Sequence, residues 1–471
     1  MNSEHRVAGA NAPRESNGGE EMRELFEIPV WSPLYVYRVR HGCARCGQSV
    51  HVVALVAEKY DEYYEGDLRR SEEEAEPLGA LPAVLLTPVV DLPAPVLEAV
   101  QKLHPGYHRG RMSDGTECYA NFCACGEMIE DGEVLGSGGP FDVSAADEVV
   151  ERGIEVVVAR FPDVGVVRCD LREWEAIELI HETWWRGVVA ELLQRLSDSR
   201  KPQAAEHAAA LARILAEVDQ AREDLRSWRK GEAPRLLPPS SDIDDEEDEA
   251  AAEAGFLAWE PLYLLSARHP CWRCGEDSTV AALVAERYCD PWDETTGDDP
   301  AGELKHVVRL SDIGRMPPHL EQVLSRVAPG IRIDRSKTAG MSYYMNHCSA
   351  CGARFGDFFL GEIEGPFWAT TPAEFEEKKI RFSVLPVEGP QRLHCGVTAS
   401  GALEWMHGHW CIQLLAGLQH KLEHRADMES SAFAAAIERL LGELMYLEER
   451  IEVERATVYR ARGAARAGRS S

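Results

Sequence analysis

His41-Gly-Cys43-Ala-Arg-Cys46-Gly47 and His269-Pro-Cys271-Trp-Arg-Cys274-Gly275 are one motif written twice. The flanks repeat with it, ungapped. Trp31-Ser-Pro-Leu-Tyr35 returns as Trp259-Glu-Pro-Leu-Tyr263, and Val52-Val-Ala-Leu-Val-Ala-Glu58 returns as Val280-Ala-Ala-Leu-Val-Ala-Glu286. Each copy then reaches a second cysteine pair, Asn121-Phe-Cys123-Ala-Cys125-Gly126 or Asn346-His-Cys348-Ser-Ala-Cys351-Gly352. Further on, an offset of 226 residues carries Cys169 to Cys395, His181 to His407, Trp184 to Trp410 and Arg213 to Arg439. Self-similarity at a fixed offset marks a duplicated unit. Its length of about two hundred residues suits one or two compact domains per copy.

All four cysteine pairs run directly into glycine: Gly47, Gly126, Gly275 and Gly352. A chain turning sharply around an ion, with backbone N–H groups aimed at thiolates, needs the positive φ that glycine tolerates. Four thiolates per copy suit tetrahedral zinc with no open position, a structural pattern. The expected ligands are Cys43, Cys46, Cys123 and Cys125 for one ion and Cys271, Cys274, Cys348 and Cys351 for a second, two zinc ions per chain. On these knuckles the chain resembles the zinc-ribbon and rubredoxin-like double-knuckle class. It departs from a simple ribbon in two ways. More than seventy residues separate the knuckles of each copy, so the insert must fold as an element of its own, with a strand after the first knuckle and a helix near Pro95–Leu103 or Pro318–Val327. The second pair of copy one is one residue short, which makes nearby Cys118 a candidate substitute ligand.

Iron would accept the same four thiolates and make an electron carrier; zinc is preferred because nothing in the chain suggests a redox partner domain. A thioredoxin-type dithiol sits at a helix start, where its pKa is lowered. Here each first pair runs instead into the strand-like stretches Val50–Val56 and Thr279–Val284. His41 and His269, two residues before their cysteines, are candidates to hydrogen-bond a sulfur or are ordinary turn residues. His347 has Phe122 as its counterpart, which argues against a ligand role. Asn121 and Asn346, with Tyr119 and Tyr344, are expected to shape the second knuckle or to face solvent from a strand.

The composition is that of a globular chain: 471 residues, 45% hydrophobic, with a formal net charge of −30. Such acidity argues against non-specific duplex binding, which depends on Lys and Arg neutralising phosphates. Thirteen cysteines without an apolar leader favour metal ligation over disulfides and point to the cytoplasm. No stretch reaches the length of a membrane span, the richest being broken by Pro82, Pro88, Asp91, Pro93 and Pro95. The run Asp242-Ile-Asp-Asp-Glu-Glu-Asp-Glu249 follows Pro234, Pro238 and Pro239 and reads as a solvated tether. The arginine-rich end (Arg455, Arg460, Arg462, Arg466, Arg469) reads as a helix end and tail rather than a nucleic-acid arm.

After each knuckle region come a short strand (Ile154–Val158; Ile380–Val384) and two helices. The first helix carries Ile177, His181, Trp184, Val188, Leu192 and Leu196 on one face, matched by Leu403, His407, Trp410, Leu414, Leu418 and Leu422. The second carries Leu211, Ile214, Val218, Ala221 and Leu225, matched by Ile437, Leu440, Leu444, Leu447 and Ile451, the 3-4 alternation of a helix–helix seam. His181 and His407 are expected to be core histidines satisfied by hydrogen bonds. A Cys169–His181 dyad is disfavoured: a helix starting near Asp170, with that residue as N-cap, would separate them by about 18 Å at about 1.5 Å per residue.

The fold expected is α+β: a tandem duplication, each copy a β-rich zinc-knuckle domain followed by a helical hairpin. The boundaries are a disordered N-terminus (1–26), knuckle domain one (27–142), strand and hairpin one (143–230), an acidic Pro/Ser linker (231–256), knuckle domain two (257–368), strand and hairpin two (369–458) and a basic tail (459–471). The hairpins should pair through their seams. The tether should leave the copies separate enough that Cys348→Ser unfolds the second knuckle domain alone. The function expected is non-enzymatic, a binding or scaffold module for a protein partner. The alternatives are an enzyme with a site between knuckle domain and hairpin, using Cys395 and His407 or their equivalents, and more weakly a zinc-dependent nucleic-acid binder. No Gly-rich phosphate loop, His-Glu-x-x-His helix or Gly-x-Ser-x-Gly elbow favours the enzyme.

Overall fold

The computed structural model describes residues 26–60, 82–112, 115–161, 164–230, 255–289, 306–425 and 427–467. The expected disordered N-terminus, apart from Phe26, which begins a strand, and nearly all of the acidic linker lie outside them, as do the side chains of Arg462, Arg466 and Arg469. The fold is mixed α/β. Each first knuckle is the tip of a long antiparallel hairpin, Leu34–Gly42 with Ser49–Ala57 and Leu262–Pro270 with Asp277–Ala285. The registers match: Leu34 lies opposite Ala57, and Leu262 opposite Ala285. These strands are apolar on both faces because both faces are covered. Leu34 and Val36 pack with Val96 and Val100 of helix Ala94–Leu103, while Tyr35 and Tyr37 pack with Ile177 and Ile180 of helix Glu175–Ser197. The second half places Leu262 and Leu264 with Leu320 and Leu324 of helix Pro318–Val327, and Tyr263 and Leu265 with Leu403 and Met406 of helix Gly401–Glu423.

The expected boundary at 142/143 falls inside a sheet. Glu155–Ala159 pairs with Leu34–Gly42, and Arg381–Val384 pairs with Leu262–Pro270. A strand that the sequence pattern did not single out follows each of these. Val164–Cys169 pairs with Phe26–Trp31, and Gln391–Ala399 pairs with both Phe256–Ala258 and Val308–Arg315. Cys169 and Cys395 therefore sit in strands, not at a helix start. The first long helix begins at Glu175 with Trp174 as its uncapped N-cap, so Asp170 does not cap it. In the second half Ser400 caps the corresponding helix by accepting from the Leu403 N–H.

Four long helices, Glu175–Ser197, Pro202–Arg229, Gly401–Glu423 and Met428–Ala467, form the remaining layer. The second helix of each half lies against that of the other, and the first helices flank this central pair. Leu211, Ile214, Val218, Ala221 and Leu225 share one core with Ile437, Leu440, Leu444 and Leu447, so the two expected seams do meet. A fully buried Leu or Ile contributes about 1.5–3 kcal/mol, and a lone hairpin would leave one stripe wet. On the first helix the inward face is rotated from the expected one. Trp185 and Val189 are fully buried, whereas Trp184 and Val188 are only partly so. That helix has to satisfy both the sheet beneath it and the helices beside it, and a single stripe cannot face both.

The shared core also contains Cys271, Cys348 and residues of the second half's sheet. This packing alters the expectation for Cys348→Ser. Loss of the second knuckle should lower the protection of the central helices from both halves, measurable as faster amide exchange at Leu211–Leu225 as well as at Ser342–His347.

Candidate metal centres

Two sets of four sulfurs converge: Cys43, Cys46, Cys123 and Cys125, and Cys271, Cys274, Cys348 and Cys351, with all Sγ atoms of a set within 4.8 Å of one another. Cross-knuckle contacts are 3.7 Å for Cys43–Cys125, 3.6 Å for Cys46–Cys123, and 3.7 Å for both Cys271–Cys351 and Cys274–Cys348. Tetrahedral zinc with bonds of about 2.3 Å would set its sulfurs about 3.8 Å apart, so the donor sets fit that ion. Cys118 lies outside the first set, in strand Glu117–Phe122 opposite Gly110. The short Cys-x-Cys pair needs no substitute, because its turn is tighter. Gly126 N–H donates to the Cys123 carbonyl three residues back, where Gly352 N–H reaches the Cys348 carbonyl four back. The knuckle glycines take φ of +69°, +86°, +76° and +68° at Gly47, Gly126, Gly275 and Gly352, as their position after each pair requires.

Backbone N–H groups, that of Cys46 foremost, hold the Cys43 thiol down to about 7. The Ser278 hydroxyl is the main cause holding Cys348 at about 6. Both effects favour the thiolate that a metal needs, whereas, against a backbone N–H that lowers each, burial and the neighbouring sulfurs push Cys46 and Cys274 up to about 12, so each set holds its protons unequally.

An asparagine holds each pair of knuckles together. Strand Val84–Leu86 covers the edge of Ser49–Ala57 only from Leu55 onward, which leaves the Val53 backbone groups without a strand partner on that side. The Asn121 carboxamide fills the gap, accepting from Val53 N–H at 2.8 Å and donating to Val53 C=O at 3.0 Å. Asn346 does the same for Ala281, at 2.8 and 2.9 Å. Buried backbone groups must be paired, so the carboxamide stands in for a strand and docks the second knuckle's sheet beside the first. Asn346→Ala should cost about 2 kcal/mol through two orphaned groups and should release the Ala281 amide to fast hydrogen exchange.

The histidines beside the cysteines have other partners. His41 Nε2 lies 3.9 Å from Glu133, and His269 stacks edge-on against Phe355. His347 is held by the Met345 and Gly330 carbonyls and by Asp334, consistent with its exclusion as a ligand. Cys169 is buried in the core on the far side of the sheet from His181, and burial pushes its thiol up to about 12, so the two do not form a dyad.

His181 belongs to a buried cluster whose other members the sequence reading did not assemble. Its Nε2 is 2.8 Å from Glu58 Oε1 and its Nδ1 is 2.7 Å from the Tyr37 hydroxyl. Tyr35 donates to the other Glu58 oxygen, and Arg439, from the other half's second helix, donates to Glu58 Oε1 at 2.7 Å. Against the burial that raises it, His181 and Arg439 bring the Glu58 carboxyl down to about 2. The reciprocal cluster has Tyr263 donating to Glu286 at 2.8 Å, with Arg213 of the first half's second helix at 3.9 Å and His407 at 4.0 Å. It is looser. Leu265 stands where the first half has Tyr37, and neither ring nitrogen of His407 has a hydrogen-bond partner among the described residues. His407 therefore departs from the expectation of a satisfied core histidine. Burial pushes Glu286 up to about 7 and His407 down to about 3. The signal was legible: charged residues recur at fixed offsets inside otherwise apolar runs.

Both clusters are enclosed, with His181 and His407 at 0% exposure. The concavity lined by Ala94, Leu97, Glu98, Gln101 and Lys102 adjoins neither them nor the sulfur sets. Among the described residues no helix is long and apolar enough to cross a membrane. Comparison with protein-family models, curated proteins and solved structures gives no match.

Proposed function

We propose that this chain is a duplicated, zinc-stabilised protein that acts without catalysis, in a thiol-preserving compartment such as the cytoplasm, as a binding scaffold for another protein. The observation that carries the reading is the pairing of two closed four-sulfur sets with no further donor among the described residues in either set. A catalytic zinc keeps one position for water or substrate. Zinc here would be held by Cys43, Cys46, Cys123 and Cys125 and by Cys271, Cys274, Cys348 and Cys351, and would supply folding energy to the knuckles. Glu58, Glu286 and His407, three of the ionisable residues with strongly shifted properties, are shut inside the protein, which favours recognition by the outer surface. Duplication has a physical use in this reading, since linked surfaces raise avidity through effective concentration.

The test is affinity purification of the intact chain at physiological salt, followed by cross-linking and mass spectrometry. A stoichiometric protein partner with cross-links on exposed residues of either half supports the reading. A nuclease-sensitive nucleic acid in its place, or no stoichiometric partner, overturns it.

A further inference from the structure

The two halves build the same turn after the second knuckle and dress it differently. In the first half the helical turn is Asp131–Leu135; in the second it is Asp357–Gly361. The preceding residues, Glu130 and Gly356, have φ/ψ of −73°/153° and −77°/145°, and the following ones, Gly136 and Glu362, have −78°/172° and −76°/168°. The closing bonds agree as well: Gly139 N–H to Gly136 C=O and Gly365 N–H to Glu362 C=O are both 2.9 Å. Inward residues correspond, with Val134 and Phe141 buried in one and Leu360 and Phe367 in the other.

The outward residues do not correspond. Gly132, Glu133 and Ser137 of the first half are replaced by Phe358, Phe359 and Ile363, which are 68%, 69% and 73% exposed. The two phenylalanine rings lie edge to face with centroids 5.4 Å apart. Since the first half folds the turn with glycine, glutamate and serine, its backbone does not depend on these apolar groups. A further difference is Glu364, at φ +71°, where the first half has Gly138 at +78°. A left-handed non-glycine residue is strained, and here the strain carries an exposed carboxylate beside the apolar group. Glu362 adds a second exposed carboxylate, and neither has an ion pair among the described residues. The pattern recurs on the adjoining knuckle. Trp272, 74% exposed, replaces Ala44, and its indole N–H donates to the carbonyl of Arg354 on the strand that leads into the turn.

We propose that Phe358, Phe359 and Ile363, with Glu362 and Glu364, form a docking site for a cationic amphipathic helix of a partner protein. The inference rests on the binding-scaffold reading and names the surface and the chemistry of its partner. Exposed apolar groups mark recognition surfaces when they cluster, and an amphipathic helix presents an apolar stripe with charges along its border. Unpaired carboxylates in a chain of net charge −30 select cations and repel phosphate-bearing surfaces. They also disfavour a second copy of this chain, because a symmetric contact would bring four of these carboxylates together.

The probe is a fluorescein-labelled helical peptide of leucine and lysine, titrated into the intact zinc-loaded chain at about 0.15 M salt, near the physiological value. Phe358→Gly, Phe359→Glu and Ile363→Ser together, which install the first half's residues, should weaken binding at least about tenfold, with circular dichroism and thermal midpoint unchanged. Glu362→Gln with Glu364→Gln should weaken binding and flatten its salt dependence. Gly132→Phe, Glu133→Phe and Ser137→Ile should weaken nothing and add at most a weaker site of flat salt dependence in the first half, where Gly136 and Gly138 stand in place of the two carboxylates. Equal affinity of the wild type and the triple variant would mean general attraction to an acidic chain and overturns the proposal. So does wild-type dimerisation that the triple variant abolishes, or preferential binding of phosphatidylserine vesicles. If the peptide fails while cross-links locate a partner elsewhere on the chain, this site falls and the scaffold reading stands. If no partner is found at all, the scaffold reading falls with it.

Discussion

Chelation of the purified protein is expected to release about two zinc ions per chain and to melt both knuckle sheets. The sheets Tyr107–Arg111, Glu117–Phe122, Met128–Ile129 and Ile331–Arg335, Ser342–His347, Arg354–Phe355 are short, and their turns close around the sulfurs. Structural zinc supplies about 10–16 kcal/mol of apparent binding free energy at neutral pH, comparable to the whole stability of a domain at about 5–15 kcal/mol. Besides the sulfurs, the second knuckle is tied to the first by the asparagine clamps in both halves, by Arg45 with Glu127 in the first, and by Ser349 N–H to Ser278 and the Trp272 indole to Arg354 in the second. Amide exchange should therefore rise first at Asn121 and Asn346 and later in the central helices. Metal analysis that finds no zinc, or iron with its visible thiolate absorption, would defeat this expectation. So would an apo chain that keeps full protection at those two strands.

Arg439→Met is expected to cost about 3–5 kcal/mol, the range seen when one member of a buried ion pair is removed and the other stays. The loss should register mainly in the first half, although the substitution lies in the second. Glu58 is fully enclosed, and without the guanidinium it keeps only His181 and Tyr35. The pH dependence has a definite sign. A carboxyl depressed to about 2 contributes stability that is complete above its unfolded value, near 4.3, and is lost as pH falls towards 2. In Arg439→Met the depression shrinks, so the variant should lose less stability than the wild type as pH falls from about 4.3 towards 2. Glu58→Gln with Arg439→Met should cost less than the sum of the single changes. A denaturation series with exchange detected at Leu34–Gly42 checks each statement. An Arg439→Met protein as stable as wild type at neutral pH would remove the clusters from any account of how the halves are joined.

The reciprocal Arg213→Met should be milder below pH 7. Glu286 is pushed up to about 7 and so is largely uncharged there, and its guanidinium partner is also engaged by Glu217 and Glu404. A carboxyl raised above its unfolded value opposes stability as pH rises from about 4.3 to about 7. His407, depressed to about 3, acts in the opposite direction between about 3 and 6.5.

The eight converging cysteines were legible in the chain because a knuckle is local: two thiols and a glycine within five residues specify their own turn. The strands after each first knuckle and the seam positions Leu211 to Leu225 were legible for the same reason, since periods of two and of three to four are properties of a short segment. The tertiary structure decided what depends on distant partners. Cys169 lies in a strand because Phe26–Trp31 is there to pair with it. Trp185 faces inward in place of Trp184 because two surfaces compete for one helix. Asn121 is buried because strand Val84–Leu86 stops short of Val53. Arg439 reaches Glu58 across 381 positions of sequence. No local pattern encodes that contact, because a buried charge is tolerable only once the whole fold has brought its counter-charge to it.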